Sequence, residues 1–550
     1  MAEERGLARE LGVAPFIAAL LCRRGLLDAA AARDFLQPKL KSLGDPFELP
    51  NMEAAITRIL AAIDRKERIA LYGDYDVDGV ASLALFTRVL RAYGAEVGTF
   101  LPQRMDEGYG LSPEGVTRCL TELRPQLLVA LDCGTSSVAE IASLRKDGVD
   151  VVVFDHHETK SALPDCTLVN PKLGEKFHYL CTAGIVFKAC HALLKRRPLA
   201  GFDLKECLDI VALGTVADIV PLVEENRILV QKGLAQMEKT RWAGLRALMQ
   251  VAGVKTPISP VDVGFRLGPR LNAAGRLGTA GDALRLLLTE DASEARTLAA
   301  GLDQQNQERQ QVEQRTLRAA EKMVAANFDA ARDATIVIGE SGWHQGVLGI
   351  VASRISKSFH RPTFVIGFDE NGVGKGSGRS ITGFSLVEAL SQCGGFLEKF
   401  GGHEMAAGLT IRQERFAEFQ RAFLDFARSK LTDEDLQPRL RVDSEVEIGE
   451  LGMAFLGHHE KLQPFGIGNP QPLFFARGVR PLEEPRVLKE KHLLFNLRQN
   501  GSKTPAIFFN GAATELPRPP WDIAFRVERN EFRESVTCQV QIVALRGAVE

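Results

Sequence analysis

IALYGDYDVDGVAS, residues 69–82, decides how this chain is read. Ile69, Ala70, Leu71 and Tyr72 make an apolar run of strand length. Asp74, Asp76 and Asp78 then fall at every second position before Gly79 and Ala81 open a helix-like pattern. Carboxylates crowded into one strand-to-helix turn raise each other's pKa, so the cluster is costly unless a strong cation neutralises it. A divalent metal ion meets that need; a solvated Asp/Gly turn is the other reading the string allows by itself.

The surrounding sequence favours the metal. LLVAL at 127–131 is a second buried-strand run and ends on Asp132, with Cys133 and Gly134 following. VVVF at 151–154 is a third and ends on Asp155, His156 and His157, while CLDIVALGTVADIVPL at 207–222 carries Asp218 just after an apolar stretch. Ligands of open α/β sheets bind beyond the carboxyl ends of the strands, where three of these four groups are placed. Acids and imidazoles are the ligand set expected for Mn²⁺ or Mg²⁺, and no paired-cysteine zinc site is present.

GDYDVDG at 73–79, DCG at 132–134, DHH at 155–157 and GTVADIVPL at 214–222 resemble, in order and spacing, the four motifs of the DHH phosphoesterase superfamily. Their flavour is similar to RecJ, a family of single-strand-specific 5′→3′ DNA exonucleases of repair and recombination. The resemblance implies two divalent ions, Mn²⁺ or Mg²⁺. Asp132 would bridge them, Asp76 would serve one, and Asp78, His156 and Asp218 the other. Many superfamily members carry a histidine where this chain has Tyr72, and Asp74 is the expected substitute. His157 would face the scissile phosphate, and Asp155 would orient a neighbouring histidine.

A chain of 550 residues, 45% hydrophobic and 25% charged, is long enough for several domains of an ordinary globular protein. With 68 Lys plus Arg against 70 Asp plus Glu, the net charge is −2, so contact with nucleic acid must come from local patches. Nine cysteines without a CxxC pair suit a reducing compartment. The opening MAEERGLARELG is charged, and no apolar run is long enough to span a membrane, so the expected location is cytoplasmic.

The expected architecture is α/β: a parallel-sheet DHH domain and an α/β DHH-associated domain joined by a long helix, followed by an OB-like β-barrel. Residues 1–45 read as short helices capping the first domain, and 46–285 as the DHH domain, with strand and helix alternating to about residue 235. Within the latter, QRMDEGYGLS at 103–112 is a polar loop carrying Arg104. GFRLGPRLNAAGRLGTAGDA at 264–283 sets Arg266, Arg270 and Arg276 among small residues, as a loop that lets backbone and arginine forks approach phosphate. Residues 286–330 form a polar strut helix with Asp291 as its N-cap. In the DHH-associated domain, 331–430, GKGSGRSI at 374–381 and GGHEMAAG at 401–408 read as glycine-rich, anion-facing turns. By resemblance, Ser377, Arg379 and His403 contact phosphate.

Short alternating runs over 440–550 predict the barrel, and LQPFGIGNPQPLF at 462–474 resembles the family's signature there. Phe465, Phe474, Phe475, Phe508 and Phe509 are candidates to stack on bases. The implied substrate is single-stranded DNA, with a single-strand-binding protein and a RecQ-type helicase as partners of a monomer. A small-substrate DHH enzyme is the first rival; such enzymes lack the strut and the β-domain. A catalytically silent scaffold is the second, and would have lost ligands that are all present here.

Overall fold

The computed structural model describes residues 2–103, 110–277, 280–532 and 535–548; side chains at 2, 276, 277, 532 and 535 are outside the description. Five strands, β1 (Ile69–Gly73), β2 (Val97–Phe100), β3 (Leu127–Leu131), β4 (Asp150–Phe154) and β5 (Thr167–Val169), form a parallel sheet in the order β2-β1-β3-β4-β5. Helices cover both faces, so alternate residues of one strand enter different cores. Leu71, Val129 and Phe154 lie on one side, Tyr72, Ala130 and Val153 on the other. Strand order reverses between β1 and β3, and the register pairs Gly73 with Leu131 and Leu131 with Phe154. Asp74, Asp132 and Asp155 therefore each leave the sheet at the same level, at its topological switch point.

The helix Ala292–Asn327 runs 36 residues, about 54 Å at 1.5 Å per residue. Its Asp291 cap accepts from the Ser293 and Glu294 amides, both at 2.7 Å. Ala295, Ala299 and Leu302 at one end pack into the parallel-sheet domain, and Ala320 and Val324 at the other into the next domain. Between them the buried residues are polar: Asn306, Arg309, Glu313 and Thr316. The sequence predicts a strut polar on most faces; the structure adds that its two ends are apolar where they enter the domains.

The next sheet contains β6 (Ile336–Ser341), β7 (Thr363–Phe368), β8 (Val373–Arg379), β9 (Lys399–Gly402) and β10 (Ala406–Arg412), in the order β6-β7-β8-β10-β9. The glycine-rich string expected as a turn at 374–381 is instead mostly strand β8. Gly374, Gly376 and Gly378 face β7, where a Cβ would meet Phe368 at 2.6 Å and Ile366 at 2.8 Å and would overlap Phe364. Alternate glycines make room for large side chains, so here they mark packing rather than a turn. In the second string the turn is confined to His403–Met405, between β9 and β10. A further correction concerns 264–283: its described residues are helical over Val263–Leu267, Gly268–Leu277 and from Gly281 onward, not a loop.

The last sheet comprises β11 (Ser444–Glu445), β12 (Phe474–Pro481), β13 (Arg486–Leu488), β14 (His492–Gln499), β15 (Ser502–Phe508), β16 (Trp521–Phe532) and β17 (Ser535–Gly547). Pairing runs β12-β16-β17-β15-β14 and returns from β14 to β12, which closes a five-stranded barrel. The amino-terminal helices do not cap the first domain as expected. Ile17, Leu20, Leu21 and Ala32 share the barrel's core, and Phe16 stacks on Phe455 at 4.1 Å. An apolar helix face carries no label for its partner, and here that partner lies more than four hundred residues away. No helix among the described residues is long and apolar enough to cross a membrane.

Candidate active site

Each strand end delivers its carboxylate by a local device. Asp76 caps the helix Val77–Ala92, its Oδ1 accepting from the amides of Asp78 at 2.9 Å and Gly79 at 3.1 Å. Gly79 is obligatory there, since a Cβ would sit 2.5 Å from the Asp74 carbonyl oxygen. Asp78 is buried and accepts from the Thr182 amide at 2.7 Å and the Ala183 amide at 2.9 Å, at the N-terminus of the helix Thr182–Arg196. Asp132 follows β3 with φ +65°, a left-handed conformation that Asp tolerates better than most residues. It accepts a hydrogen bond from the Thr182 hydroxyl at 3.0 Å. Asp218 caps the C-terminus of the helix Leu208–Ala217.

Three groups of ligand atoms converge, each within 4.8 Å: Asp74 with Asp76 and Asp132; Asp78 with His156 and Asp218; and Asp132 with His156 and His157. Tyr72 stays out of them. Its ring stacks on Phe100 at 4.9 Å, and its hydroxyl donates to the Gly110 carbonyl at 3.0 Å.

Electrostatics show what the cluster lacks. Burial, then Asp76, pushes the Asp78 carboxyl up to about 6. Burial, then Asp78, Asp76 and Asp155, pushes Asp218 up to about 9. Asp132 is driven well above the carboxylate range by burial and by Asp78, Asp76, Asp218 and Asp74. His156 falls to about 4 through burial and its neighbour His157, which leaves it as the neutral imidazole that ligates metals. Its Nε2 and Asp218 Oδ2, 3.5 Å apart, are buried without a hydrogen-bond partner among the described residues. Unsatisfied buried acceptors beside repelling carboxylates fit a site built for divalent cations.

Asp155 has another task. Its Oδ1 meets His157 Nδ1 at 2.7 Å and accepts from the His156 amide, while Oδ2 accepts from the Thr135 amide at 3.0 Å. Burial opposes its ionisation, but the His157 hydrogen bond and charge outweigh it and hold the carboxyl well below the usual range. His157 is correspondingly raised: burial lowers it, and the Asp155 contact more than compensates.

Known proteins match along the whole chain. Family profiles fit the DHH family N-terminal domain at residues 68–215, the DHHA1 domain at 332–429 and the RecJ OB domain at 442–544. The single-stranded-DNA-specific exonuclease RecJ of Haemophilus influenzae is 36% identical over 534 residues, 92% of this chain and 92% of that protein. The chain belongs to the RecJ family. The Bacillus subtilis RecJ is 38% identical over 92% of this chain, which spans 64% of that relative's length. The crystal structure of RecJ in complex with Mn²⁺ from Thermus thermophilus superimposes with a TM-score of 0.85 at 33% identity, covering 100% of this chain and 78% of that one. A second, with Mg²⁺, gives a TM-score of 0.80 at 31% identity, covering 100% and 77%. RecJ exonucleases of the DHH family are metal-dependent hydrolases, in keeping with the ligand set here.

The residues expected to meet DNA fare unequally. Arg104 and the side chain of Arg276 lie outside the described residues. Arg270 is committed within the protein, its Nε donating to Asp303 on the strut at 2.8 Å and its Nη1 to the Arg266 carbonyl at 2.6 Å. Ser377 and Arg379 line a cavity of about 490 Å³ together with Gln345, Lys375 and Lys399. Arg379 donates to the Gly378 carbonyl at 2.8 Å and to Ser377 Oγ at 3.3 Å and has no carboxylate partner among the described residues. Burial lowers its pKa. His403, on the β9–β10 turn, lies near the DHH motif: Glu158 is held below its ordinary value first by Lys172, and further by the His403 and His178 imidazoles. Of the aromatic candidates, Phe474 is fully buried, Phe465, Phe475 and Phe508 partly, and Phe509 is 42% exposed.

Sequence reasoning missed Thr182, which serves both Asp78 and Asp132. It also missed Asn170, whose amide donates to Thr135 Oγ1 at 3.0 Å and to the His157 carbonyl at 2.9 Å. The string CTAG at 181–184 carries no chemistry that would flag it; only its position at a helix start, facing Asp78, does.

Proposed function

We propose that this protein is a single-stranded-DNA-specific 5′→3′ exonuclease that hydrolyses phosphodiester bonds with two divalent cations, Mn²⁺ or Mg²⁺, in DNA repair and recombination. The observation that carries this reading is the position of Asp132, which belongs both to the Asp74 and Asp76 group and to the His156 and His157 group. Asp74, Asp76 and Asp132 would hold one cation, and Asp78, His156, Asp218 and Asp132 the other. When bound, such a pair supplies an activated water nucleophile and positive charge at the leaving oxygen. Thr182 and the Thr182 helix N-terminus fix Asp132 and Asp78 in place before any substrate arrives. Asp155 fixes the His157 ring and favours its protonated form, leaving Nε2 as the nitrogen through which the ring can hold the scissile phosphate.

The Ser377 and Arg379 cavity supports a terminal-phosphate pocket, with Arg104, Arg276 and His403 as further contacts; Arg270 enters this reading only as the tie between its helix and the strut. A monomer working in the cytoplasm with a single-strand-binding protein and a RecQ-type helicase completes the proposal. Digestion of 5′- and 3′-labelled single strands with Mn²⁺, Mg²⁺ or EDTA tests it. Release of label first from the 5′ end, abolished by EDTA, is expected; release from the 3′ end, or EDTA-resistant cleavage, refutes it.

A further inference from the structure

The barrel signature at 462–474 is not a free loop. It reaches the parallel-sheet domain four residues past Asp218. The Leu222 amide donates to the Ile467 carbonyl at 2.7 Å. A Cβ at Gly466 would meet Leu222 Cδ1 at 2.7 Å, and one at Gly468, where φ is +74°, would meet Val223 Cγ1 at 2.9 Å and Pro221 Cβ at 3.1 Å. Close approach of this backbone is therefore what both glycines permit. From the other side, buried Asn226 donates to the Pro221 carbonyl at 3.0 Å. The stretch between, Ile219 to Leu222, leaves Asp218 through a left-handed residue, Ile219 at φ +63°. Such a residue has little freedom to absorb a shift of either end.

Arg227 locks the loop from beneath. Its side chain is almost wholly buried, yet no carboxylate pairs with it among the described residues. Its five N–H donors are instead aimed at carbonyls: Phe35 at 2.8 Å, Leu462 at 3.0 Å, Gln463 at 2.7 Å, and, more weakly, Lys461 at 3.4 Å and Pro464 at 3.5 Å. Phe35 also stacks under the guanidinium at 3.7 Å. Asn469 closes the loop with donations to the Leu462 and Pro464 carbonyls at 2.9 and 2.7 Å. One arginine of the parallel-sheet domain thus fixes a barrel loop, and that loop fixes the chain just past a metal-site carboxylate.

We infer that the 462–469 loop, locked by Arg227, is a brace that positions Asp218, so that cation affinity at the Asp78, His156 and Asp218 group depends on the docked barrel. Arg227 and Leu222 are positioning residues in this account, and it rests on the metal reading proposed above. Outer residues that orient ligands are worth about 10–100-fold in metal affinity.

The test is calorimetric titration of Mn²⁺ into the full chain, with melting temperatures measured alongside. Arg227→Met and Gly466→Ala should each weaken Mn²⁺ binding by about 10–100-fold. The control is Arg361→Met: Arg361 is also buried and donates to the carbonyls of Asp333, Ala330, His360 and Leu436, but in the DHHA1 domain. It should lower the melting temperature and leave Mn²⁺ binding at the wild-type value. Wild-type Mn²⁺ affinity in folded Arg227→Met overturns the brace, and if that variant does not fold, wild-type affinity in Gly466→Ala does so. Asp132→Ala checks the underlying metal reading separately: if it binds Mn²⁺ as wild type does, that reading falls, whatever the brace variants show.

Discussion

Replacing Asp218 by Asn should make the metal-free protein more stable, not less. The Asp218 carboxyl stands at about 9 in the fold, raised by burial and then by Asp78, Asp76 and Asp155; unfolded, it returns to about 3.9. At pH 7 it is thus protonated when folded and ionised when unfolded. The penalty is about 1.4 kcal/mol for each pH unit above the unfolded value, or roughly 4 kcal/mol at pH 7. The sign follows from proton binding: the folded state holds the extra proton, so the penalty is absent below the unfolded pKa and grows as pH rises towards 9. Asn has nearly the same shape and no charge, and removes the penalty. At about 2–4 °C per kcal/mol for a domain of this size, the variant should melt roughly 10 °C higher in EDTA at pH 7, with the gain shrinking to nothing near pH 4. With Mn²⁺ the gap should narrow, because wild type gains about 2.7 kcal/mol at a hundredfold excess over its dissociation constant, and should close near a thousandfold excess, where the gain is about 4.1 kcal/mol and the variant binds more weakly. Circular-dichroism melts across pH 4–9, with EDTA and with Mn²⁺, measure both effects. A variant that melts lower than wild type in EDTA at pH 7, or whose advantage does not change with pH, refutes the account of the cluster as a cation site held open at the expense of stability.

Three other outcomes are expected. Asp76→Asn should abolish hydrolysis yet melt within about 1 kcal/mol of wild type, because Asn is as good an N-cap for the Val77–Ala92 helix; Asp132→Ala should likewise be inactive, and Mn²⁺-dependent turnover in either purified variant would contradict the ligand assignment. A chain cut after Leu431 should aggregate, since Ile17, Leu20 and Leu21 lose the barrel core they share, whereas also removing residues 1–37 should restore solubility, as size-exclusion chromatography will show. Arg379→Ala should reduce the preference for 5′-phosphorylated over 5′-hydroxyl strands by about tenfold, the loss of one charge-assisted contact of about 1.5 kcal/mol; an unchanged cleavage ratio removes the phosphate from that cavity.

The site was legible in the sequence because its geometry is local to strand ends. Three apolar runs each finish on an acid, and a parallel sheet whose strands end in register, Gly73 beside Leu131 beside Phe154, brings those acids together without further information. The strut was legible for a similar reason, since its polarity and its Asp291 cap are written within one helix. Strand β8 was misread because glycine spacing describes equally a turn that needs conformational freedom and a strand that needs room for Phe364, Ile366 and Phe368. Only the neighbouring strand distinguishes the two.

What remained hidden is how the domains are joined, and the reason is physical. The amino-terminal helices and Arg227 find their partners hundreds of residues away, across surfaces where any apolar face or any row of carbonyls would satisfy the local pattern. A buried arginine also gives no sequence signal when its partners are main-chain oxygens, because a carbonyl is present at every position; a carboxylate partner would at least have been visible as an acid. Yet such a contact is selective once formed. Five donors in a rigid fork demand carbonyls at fixed places, so the loop can be held in only one way, whereas an apolar contact tolerates sliding. That selectivity suits a joint lying four residues from Asp218, one of the carboxylates proposed to hold a cation.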